Sequence, residues 1–323
     1  MKKILVLGGA GYIGSHTTAK LKDEGFTPIV MDNLSSGDKN IIDGVKLYKL
    51  DINKKNLEFI LTKEGLIDGI IHFAGLIQVK ESMQNPFLYI QNNICISTQI
   101  LDFMKDNQIK NIVFSSSAAV YGNPETIPIK ERAKKDPINV YGLTKYTFEK
   151  ILEFYDEIFG IKSVSLRYFN AAGASQKYNI GEAHKIETHL IPLMIKNVLE
   201  NKEFIVYGDT YETSDGSCIR DYIHVDDLAN AHILSIKYLE DKHKSNVFNL
   251  GLNNGYSIFE IIKKLEEVTG KKVNYKIGDK REGDPSILIA DFSKAKNELS
   301  WEPKQSIEDI LKSAYNWHTN CIK

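Results

Sequence analysis

The sequence predicts an α/β protein in which a doubly wound parallel sheet carries a second, smaller α/β lobe. Two observations support that reading. Short apolar runs alternate with longer helix-like segments through the first half of the chain, and such alternation gives a parallel sheet covered on both faces. The first run, Ile4-Leu5-Val6-Leu7, passes directly into the glycine-rich stretch Gly8-Gly9-Ala10-Gly11-Tyr12-Ile13-Gly14, ahead of a helix-like segment beginning near Ser15.

In chain order, strands are expected at 3–7, 27–31, 45–49, 69–73, 111–115 and 162–168, with helices between most of them. Helices at 86–106 and 140–159 carry apolar residues on more than one side, among them Tyr89, Ile90, Ile94, Phe148, Leu152 and Ile158. A helix apolar beyond one stripe needs a second partner, which burial between sheet and loops supplies as readily as a subunit interface. The second of these helices is expected to start from Asp136 as N-cap with Pro137 in its first turn. After Asn170 the alternation fades into a loop-rich region containing Gly173, Gly181 and His184. A helix at 226–239 and a strand at 246–250 then return the chain to the first sheet. A helix at 257–269, a strand at 272–277 and a helix at 306–317 complete the smaller lobe.

A chain of 323 residues exceeds the size at which a single core usually stops growing, so one large or two joined domains are expected. Hydrophobic content of 42%, charged content of 26% and a net charge of −1 describe an ordinary globular protein without the basic excess that nucleic acid requires. No stretch approaches a membrane span, and the glycine turn interrupts the apolar run after Met1-Lys2-Lys3 before a signal sequence could form. Cys95, Cys218 and Cys321 are few, odd in number and far apart. They fit a reducing cytoplasm and argue against a disulfide framework or a cysteine-rich metal site. His184 and His189 come nearest to a metal-binding pair, but no carboxylate sits at a helical offset from them, and no metal is expected.

Glycines between a strand and a helix permit a tight turn and keep side chains away from the backbone N–H groups and the positive end of the helix dipole. The stretch contains Gly-x-Gly-x-x-Gly from Gly9 and Gly-x-x-Gly-x-x-Gly from Gly8, and the next apolar run, Pro28-Ile29-Val30-Met31, ends in Asp32. That spacing places a carboxylate where a ribose 2′-hydroxyl is received, so the sheet reads as Rossmann-type and the cofactor as NAD; a 2′-phosphate would meet a negative charge. The expected division is an NAD-binding domain over 1–170, rejoined at about 221–252, interleaved with a substrate-binding lobe within 171–323.

Tyr141 and Lys145, four residues apart, share one helix face. A free phenol is a poor base at neutral pH, and a neighbouring cation favours its ionised form. Ser115-Ser116-Ser117 follows Asn111-Ile112-Val113-Phe114, which puts hydroxyls at the carboxyl end of a strand, where doubly wound sheets bind ligands. Glycine turn, strand-end serines and downstream Tyr-x-x-x-Lys, in this order, resemble the short-chain dehydrogenase/reductase superfamily in its extended form.

The resemblance narrows with Gly8 to His16, Met31-Asp32-Asn33-Leu34, Ile71-His72-Phe73-Ala74-Gly75-Leu76, Ser115 to Gly122, Arg167-Tyr168-Phe169-Asn170, Arg220-Asp221-Tyr222-Ile223-His224-Val225, Asn249-Leu250-Gly251 and Arg281-Glu282-Gly283-Asp284. Over nearly its whole length the chain is similar to the UDP-glucose 4-epimerase family. The resemblance implies interconversion of UDP-galactose and UDP-glucose through a 4-keto intermediate, with NAD as a resident catalyst. It implies that Tyr141 removes the proton of the sugar 4-hydroxyl, that Lys145 and the positive nicotinamide hold the phenolate, and that Ser117 relays the proton.

On the cofactor side the resemblance implies Gly8, Gly11, Tyr12, Ile13, Gly14, Asp32, Asn33, Asp51, Ile52, Phe73, Ala74, Gly75, Asn92 and Phe169, with Tyr141 and Lys145. On the substrate side it implies Asn170, His189, Tyr207, Arg220, Arg281, Asp284 and Leu288, with Ser117 and Tyr141. Guanidinium groups suit the diphosphate because they bind phosphate oxygens two at a time. Three positions depart from a familiar form of the family: Ile77 where Lys is often found, Thr188-His189 for an Asn-Asn pair, and Leu288 where some members carry Tyr and others a small residue. The last bears on whether UDP-N-acetylglucosamine and its galacto epimer are also turned over. Ala118 and Ala119 stand where a dehydratase has Asp-Glu and a decarboxylase Ser-Glu, which counts against both chemistries. A UDP-uronate 4-epimerase shares the catalytic steps and stays open, and a noncatalytic NAD-binding regulator would have no need of Ser117, Tyr141 and Lys145 together. The family also implies a homodimer.

Overall fold

A computed structural model of the chain describes residues 1–37, 44–183, 187–280 and 285–321. The first part runs β1 (Lys3–Leu7), α1 (Tyr12–Asp23), β2 (Thr27–Asp32), β3 (Lys46–Lys49), α2 (Lys54–Glu64) and β4 (Gly69–His72). It continues with α3 (Val79–Gln84), α4 (Pro86–Ile90), α5 (Ile96–Asp106), β5 (Asn111–Ser115), α6 (Val140–Phe159), β6 (Lys162–Tyr168) and β7 (Asn170–Ala172). There follow α7 (Leu190–Leu199), β8 (Phe204–Tyr207), β9 (Ile219–His224), α8 (Val225–Lys242), β10 (Asn246–Leu250) and β11 (Gly255–Ser257). The chain closes with α9 (Ile258–Thr269), β12 (Tyr275–Gly278), β13 (Ile287–Leu288), α10 (Ser293–Leu299) and α11 (Ile307–Cys321).

Seven parallel strands form the central sheet in the order β10-β6-β5-β4-β1-β2-β3, the Rossmann-like arrangement expected from the βα alternation. Its side chains show the period of two that covers both faces. Ile4 and Val6 enter one core layer with Ile71, Val113, Leu228 and Leu239, while Leu5 and Leu7 enter the other with Ile70, Ile112, Leu101 and Phe148. A slip of one residue would exchange the two sets against different helices, so the register is strongly fixed. The carboxyl ends of β1, β4, β5 and β6 therefore open at one edge of the sheet, with the glycine turn among them.

Strand β10 pairs with β6, so the chain does return to the first sheet, and α8 packs on α1. Strand β9 instead centres a second sheet with β7, β11 and β13. These strands are two to six residues long and are defined by distant partners, which is why the segment after Asn170 reads as loop from local pattern. A third core layer lies beneath them, where α7, α9 and α11 contribute Met194, Ile261, Leu265 and Ile310.

Two expected features take a different form. The run 86–106 is helical but is not one α-helix: a π segment, Gln91–Cys95, separates α4 from α5. Helix α6 begins after Asn139, whose side chain accepts from the Gly142 N–H at 2.8 Å, so Asn139 rather than Asp136 is the N-cap. Asp136 and Pro137 lie in the approach, outside helical backbone. Among the described residues no helix is long and apolar enough to cross a membrane.

Candidate active site

The glycine turn is built by close approach. Gly8 adopts φ +79°, and a Cβ there would lie 2.7 Å from the Ala74 nitrogen at the exit of β4. A Cβ on Gly14 would lie 2.2 Å from the Gly8 carbonyl oxygen, so α1 can press on the turn only with glycine at this position. Gly11 caps α1 without any side-chain acceptor and no acidic residue occupies the first turn, which leaves the helix N–H groups available to an anion. Asp32 ends β2 beside them, its carboxylate accepting from Ala10 N at 3.0 Å and Leu34 N at 2.8 Å. Open donors and an adjoining carboxylate fit the pyrophosphate and ribose of NAD.

Other residues expected on this side gather around the same strand ends. Asn33 Nδ2 donates to Asp51 Oδ1 at 2.8 Å, and Ile52 packs on the core behind them. Phe73 and Ala74 both donate backbone N–H to the Leu7 carbonyl. Ile13 packs against the first core layer, and Tyr12 is buried with its hydroxyl donating to the Gly173 carbonyl at 2.7 Å. Gly75 lies where a Cβ would come 3.8 Å from Lys145 Nζ. Asn92 turns its amide to the Leu88 carbonyl at 3.0 Å. Its neighbour Asn93 is the buried one: it accepts from Leu76 N at 2.8 Å and donates to Thr144 Oγ1 at 3.1 Å, tying the exit of β4 to α6.

Helix α6 brings Tyr141 and Lys145 to the end of β5. Lys145 is 3% exposed and donates through Nζ to the Ser115 carbonyl at 2.9 Å, with Nζ 5.7 Å from the Tyr141 ring centre. Burial pushes its amine down to about 8, and the Glu149 carboxylate one turn later opposes that fall. Burial raises the Tyr141 phenol, and a hydrogen bond with Ser117 works the other way. The Ser117 side chain also accepts from Ala119 N at 3.2 Å, capping the short 3₁₀ segment Ala118–Tyr121.

On the substrate side, Asn170 Nδ2 donates to the Asp221 carbonyl at 2.7 Å, which docks β7 on β9. Leu288 stands opposite Arg220 in the β13–β9 pairing and packs with Ala118, Tyr121 and Phe169. Arg220 donates to the Ile219 carbonyl at 2.9 Å. Beneath it, the buried Asp221 carboxylate accepts from Leu252 N, Asn253 N and Ala290 N, while burial pushes it up to about 7. Tyr207 ends β8, 38% exposed. Arg281 and Asp284 lie outside the described residues. His189 is the N-cap residue of α7, and its Nδ1 is hydrogen-bonded to the Glu182 carboxylate and 3.5 Å from that of Glu187. Carboxylate partners for this histidine thus do exist, in the loop before α7 rather than at a helical offset. The ligand-type atoms of the three residues lie within 4.8 Å of one another, a gathering that an imidazole between two carboxylates explains without an ion.

Local pattern gave no reason to single out Asn93 or Glu149, and Arg167 entered only as part of the Arg167-Tyr168-Phe169-Asn170 segment, with no role of its own. Each lies among other polar residues, in QNNIC, TFEKI and VSLRY, so only its burial in the fold sets it apart.

Residues 4–251 match the NAD dependent epimerase/dehydratase family. The chain is 44% identical over 319 residues to the UDP-glucose 4-epimerase of Lactobacillus helveticus, covering 98% of this chain and 97% of that protein. The chain belongs to the UDP-glucose 4-epimerases of this family. Among solved structures, the Brucella ovis UDP-glucose 4-epimerase in complex with NAD is similar at a TM-score of 0.94 and 39% identity, with 98% of each chain covered. The Bifidobacterium longum UDP-glucose 4-epimerase, in complex with NAD+ and UDP, is similar at 0.93 and 38%, with 99% of this chain and 98% of that chain covered.

In this epimerase, Gly14→Ala is expected to yield protein that releases little or no NAD on denaturation, because the added methyl must push α1 off the turn. Retention of wild-type NAD per chain would show that the turn relaxes around it.

Proposed function

We propose that the protein interconverts UDP-galactose and UDP-glucose by oxidation and re-reduction at the sugar C4. The observation that carries the reading is the meeting of Ser117, Tyr141 and a buried Lys145 at the end of β5, beside the glycine turn. NAD, when bound, supplies the acceptor that takes hydride from C4 and returns it. Tyr141 takes the proton of the 4-hydroxyl, Ser117 bridges that oxygen and the phenol, and Lys145 favours the ionised phenol by its charge. Arg220, Asn170, His189 and Tyr207 hold the uridine diphosphate, with Arg281 and Asp284 assigned to the same task by motif. Ala118 and Ala119 offer no proton carrier, and this favours epimerisation over dehydration or decarboxylation.

Incubation with UDP-galactose and no added NAD is expected to give UDP-glucose as product; its absence from folded, NAD-loaded protein would refute the reading. Tyr141→Phe is expected to keep the fold and bound NAD and to lose turnover by ~10²–10⁴-fold, the usual worth of a general base. Near-normal turnover would remove this tyrosine from the mechanism.

The apolar surface supports a homodimer. Met83, Phe87, Leu88 and Ile90 on α3 and α4 are exposed, as are Leu143, Phe154 and Ile158 on α6, the helix against which α3 and α4 pack. A second copy would cover both faces. Light scattering at micromolar concentration is expected to give twice the chain mass; a fully active monomer would contradict the proposal. Among the described residues Cys95 and Cys218 form no disulfide, which supports a reducing, cytoplasmic setting.

Leu288, packed beside Phe169 and paired with Arg220, is proposed to set the size of sugar admitted. Leucine is smaller than tyrosine, so turnover of UDP-N-acetylglucosamine is expected alongside UDP-glucose. Leu288→Tyr should lower kcat/KM for the N-acetyl sugar by roughly 10-fold or more relative to UDP-glucose, while Leu288→Ser should not. Equal handling of the N-acetyl sugar by the tyrosine variant would place the limit elsewhere.

A further inference from the structure

A set of buried polar groups lies behind the Ser117, Tyr141 and Lys145 cluster. Glu149 on α6 receives Arg167 of β6 as a fork, Nε to Oε1 at 2.9 Å and a terminal nitrogen to Oε2 at 2.5 Å, both side chains no more than 4% exposed. The same carboxylate accepts the Ser116 hydroxyl at 2.5 Å. Arg167 also donates to Tyr121 Oη at 2.8 Å, and Tyr121 donates to Asn249 Oδ1 of β10 at 2.7 Å. Ser116 is the middle of three serines whose neighbours both face the site: the Ser115 carbonyl accepts from Lys145, and the Ser117 hydroxyl is close enough to Tyr141 to lower its phenol. Glu149 follows Lys145 by one helical turn, so one short stretch of α6 is fastened at the front through the amine and at the back through the carboxylate.

We infer that Glu149 and Arg167 are a positioning pair for the reaction: their fork seats α6 against β5 and β6 and holds Lys145 and Ser117 at the spacing Tyr141 needs. The inference rests on the epimerase reading of the site. Stability alone does not call for such a pair, because apolar replacements of buried ion pairs are often neutral or stabilising. A bidentate fork adds what apolar packing lacks, a fixed direction and distance. The groups facing Lys145 are Tyr141 and Glu149 of α6, His72 of β4 and the Ser115 carbonyl of β5, with Arg167 of β6 behind Glu149 and Tyr168 of β6 beside Tyr141. Burial and the Lys145 charge press His72 down to about 3, so it stays neutral, and Glu149 supplies the negative charge that keeps the amine protonated.

The test compares wild type with Glu149→Gln, Arg167→Lys and the double variant Glu149→Leu/Arg167→Met, each purified with its bound NAD. Folded content, NAD per chain, kcat and KM for UDP-galactose, and the pH profile are measured. The double variant is expected to keep fold and NAD while kcat falls about 10- to 100-fold with KM little changed, the cost of misplaced reacting groups. Glu149→Gln keeps an acceptor for Ser116 but removes the charge, so Lys145 loses its proton at lower pH and the alkaline limb of activity moves to lower pH. Arg167→Lys, which keeps charge without the fork, should fall between. The inference is overturned if Glu149→Gln and the double variant show wild-type kcat and pH profile, or if activity falls only in proportion to folded, NAD-loaded protein. Should the double variant not fold, Glu149→Gln carries both readouts. Failure of wild type to convert UDP-galactose would instead count against the epimerase reading.

Discussion

A protonated amine cannot remain in an apolar interior without an acceptor, and the arrangement of the site follows from how Lys145 meets that constraint. Its acceptor is the carbonyl of Ser115, the last residue of β5. Because α6 is a rigid 20-residue helix, fixing one of its residues to a strand end fixes the others. Tyr141 is presented one turn earlier, Thr144 meets Asn93, and Glu149 reaches Arg167 one turn later. Gly142 lets this helix come close enough: a Cβ there would lie 2.4 Å from the Ala119 carbonyl oxygen, so a larger residue beside Tyr141 would lift α6 off the 3₁₀ segment.

The same economy governs the three serines. Successive residues at a strand exit point in different directions, and each of these has a different partner. Ser115 bonds Tyr168 through its hydroxyl, Ser116 bonds Glu149, and Ser117 accepts from Ala119 N while its hydroxyl acts on the Tyr141 phenol. A strand end normally carries backbone groups that need partners. Here the Ser115 carbonyl is met by Lys145, the Ser116 N–H by the Leu166 carbonyl and the first two hydroxyls by Tyr168 and Glu149, so the loop cannot shift without disturbing them.

Much of this was legible in the residue order, for a physical reason. The strands of a parallel sheet are buried on both faces, so Ile4 to Leu7 and Ile112 to Phe114 stand out as apolar runs, and a turn that must admit a phosphate has to be glycine. The Tyr141–Lys145 spacing is likewise dictated by one helical turn. What was hidden depends on contacts between distant residues. Strands β7, β9, β11 and β13 are too short to show a period, and the π segment at Gln91–Cys95 carries no distinctive composition. Asn139 and Asp136 are equally good caps on paper; the structure chooses Asn139 because Gly142 must sit directly on Ala119. Glu149 and Arg167 are 18 residues apart in sequence and meet only because α6 lies across β6.

The titration of the central pair bears on how chemistry and cofactor are linked. Burial moves the two groups apart and reverses their order: the Tyr141 phenol rises from 10.0 while the Lys145 amine falls from 10.5 to about 8. Taken alone, then, the pocket surrenders the lysine proton before the tyrosine proton as pH rises. Above about 8 it would hold a neutral amine beside a neutral phenol, which is no base at all. Glu149 restrains the first change but does nothing to ionise Tyr141. On the proposed mechanism a further positive charge next to the phenol is required, and bound NAD in its oxidised form carries one. Tyr141 would therefore be the better base while that charge is present, would hold the proton it has taken while the charge is absent, and would give the proton back to the sugar oxygen as the charge is restored.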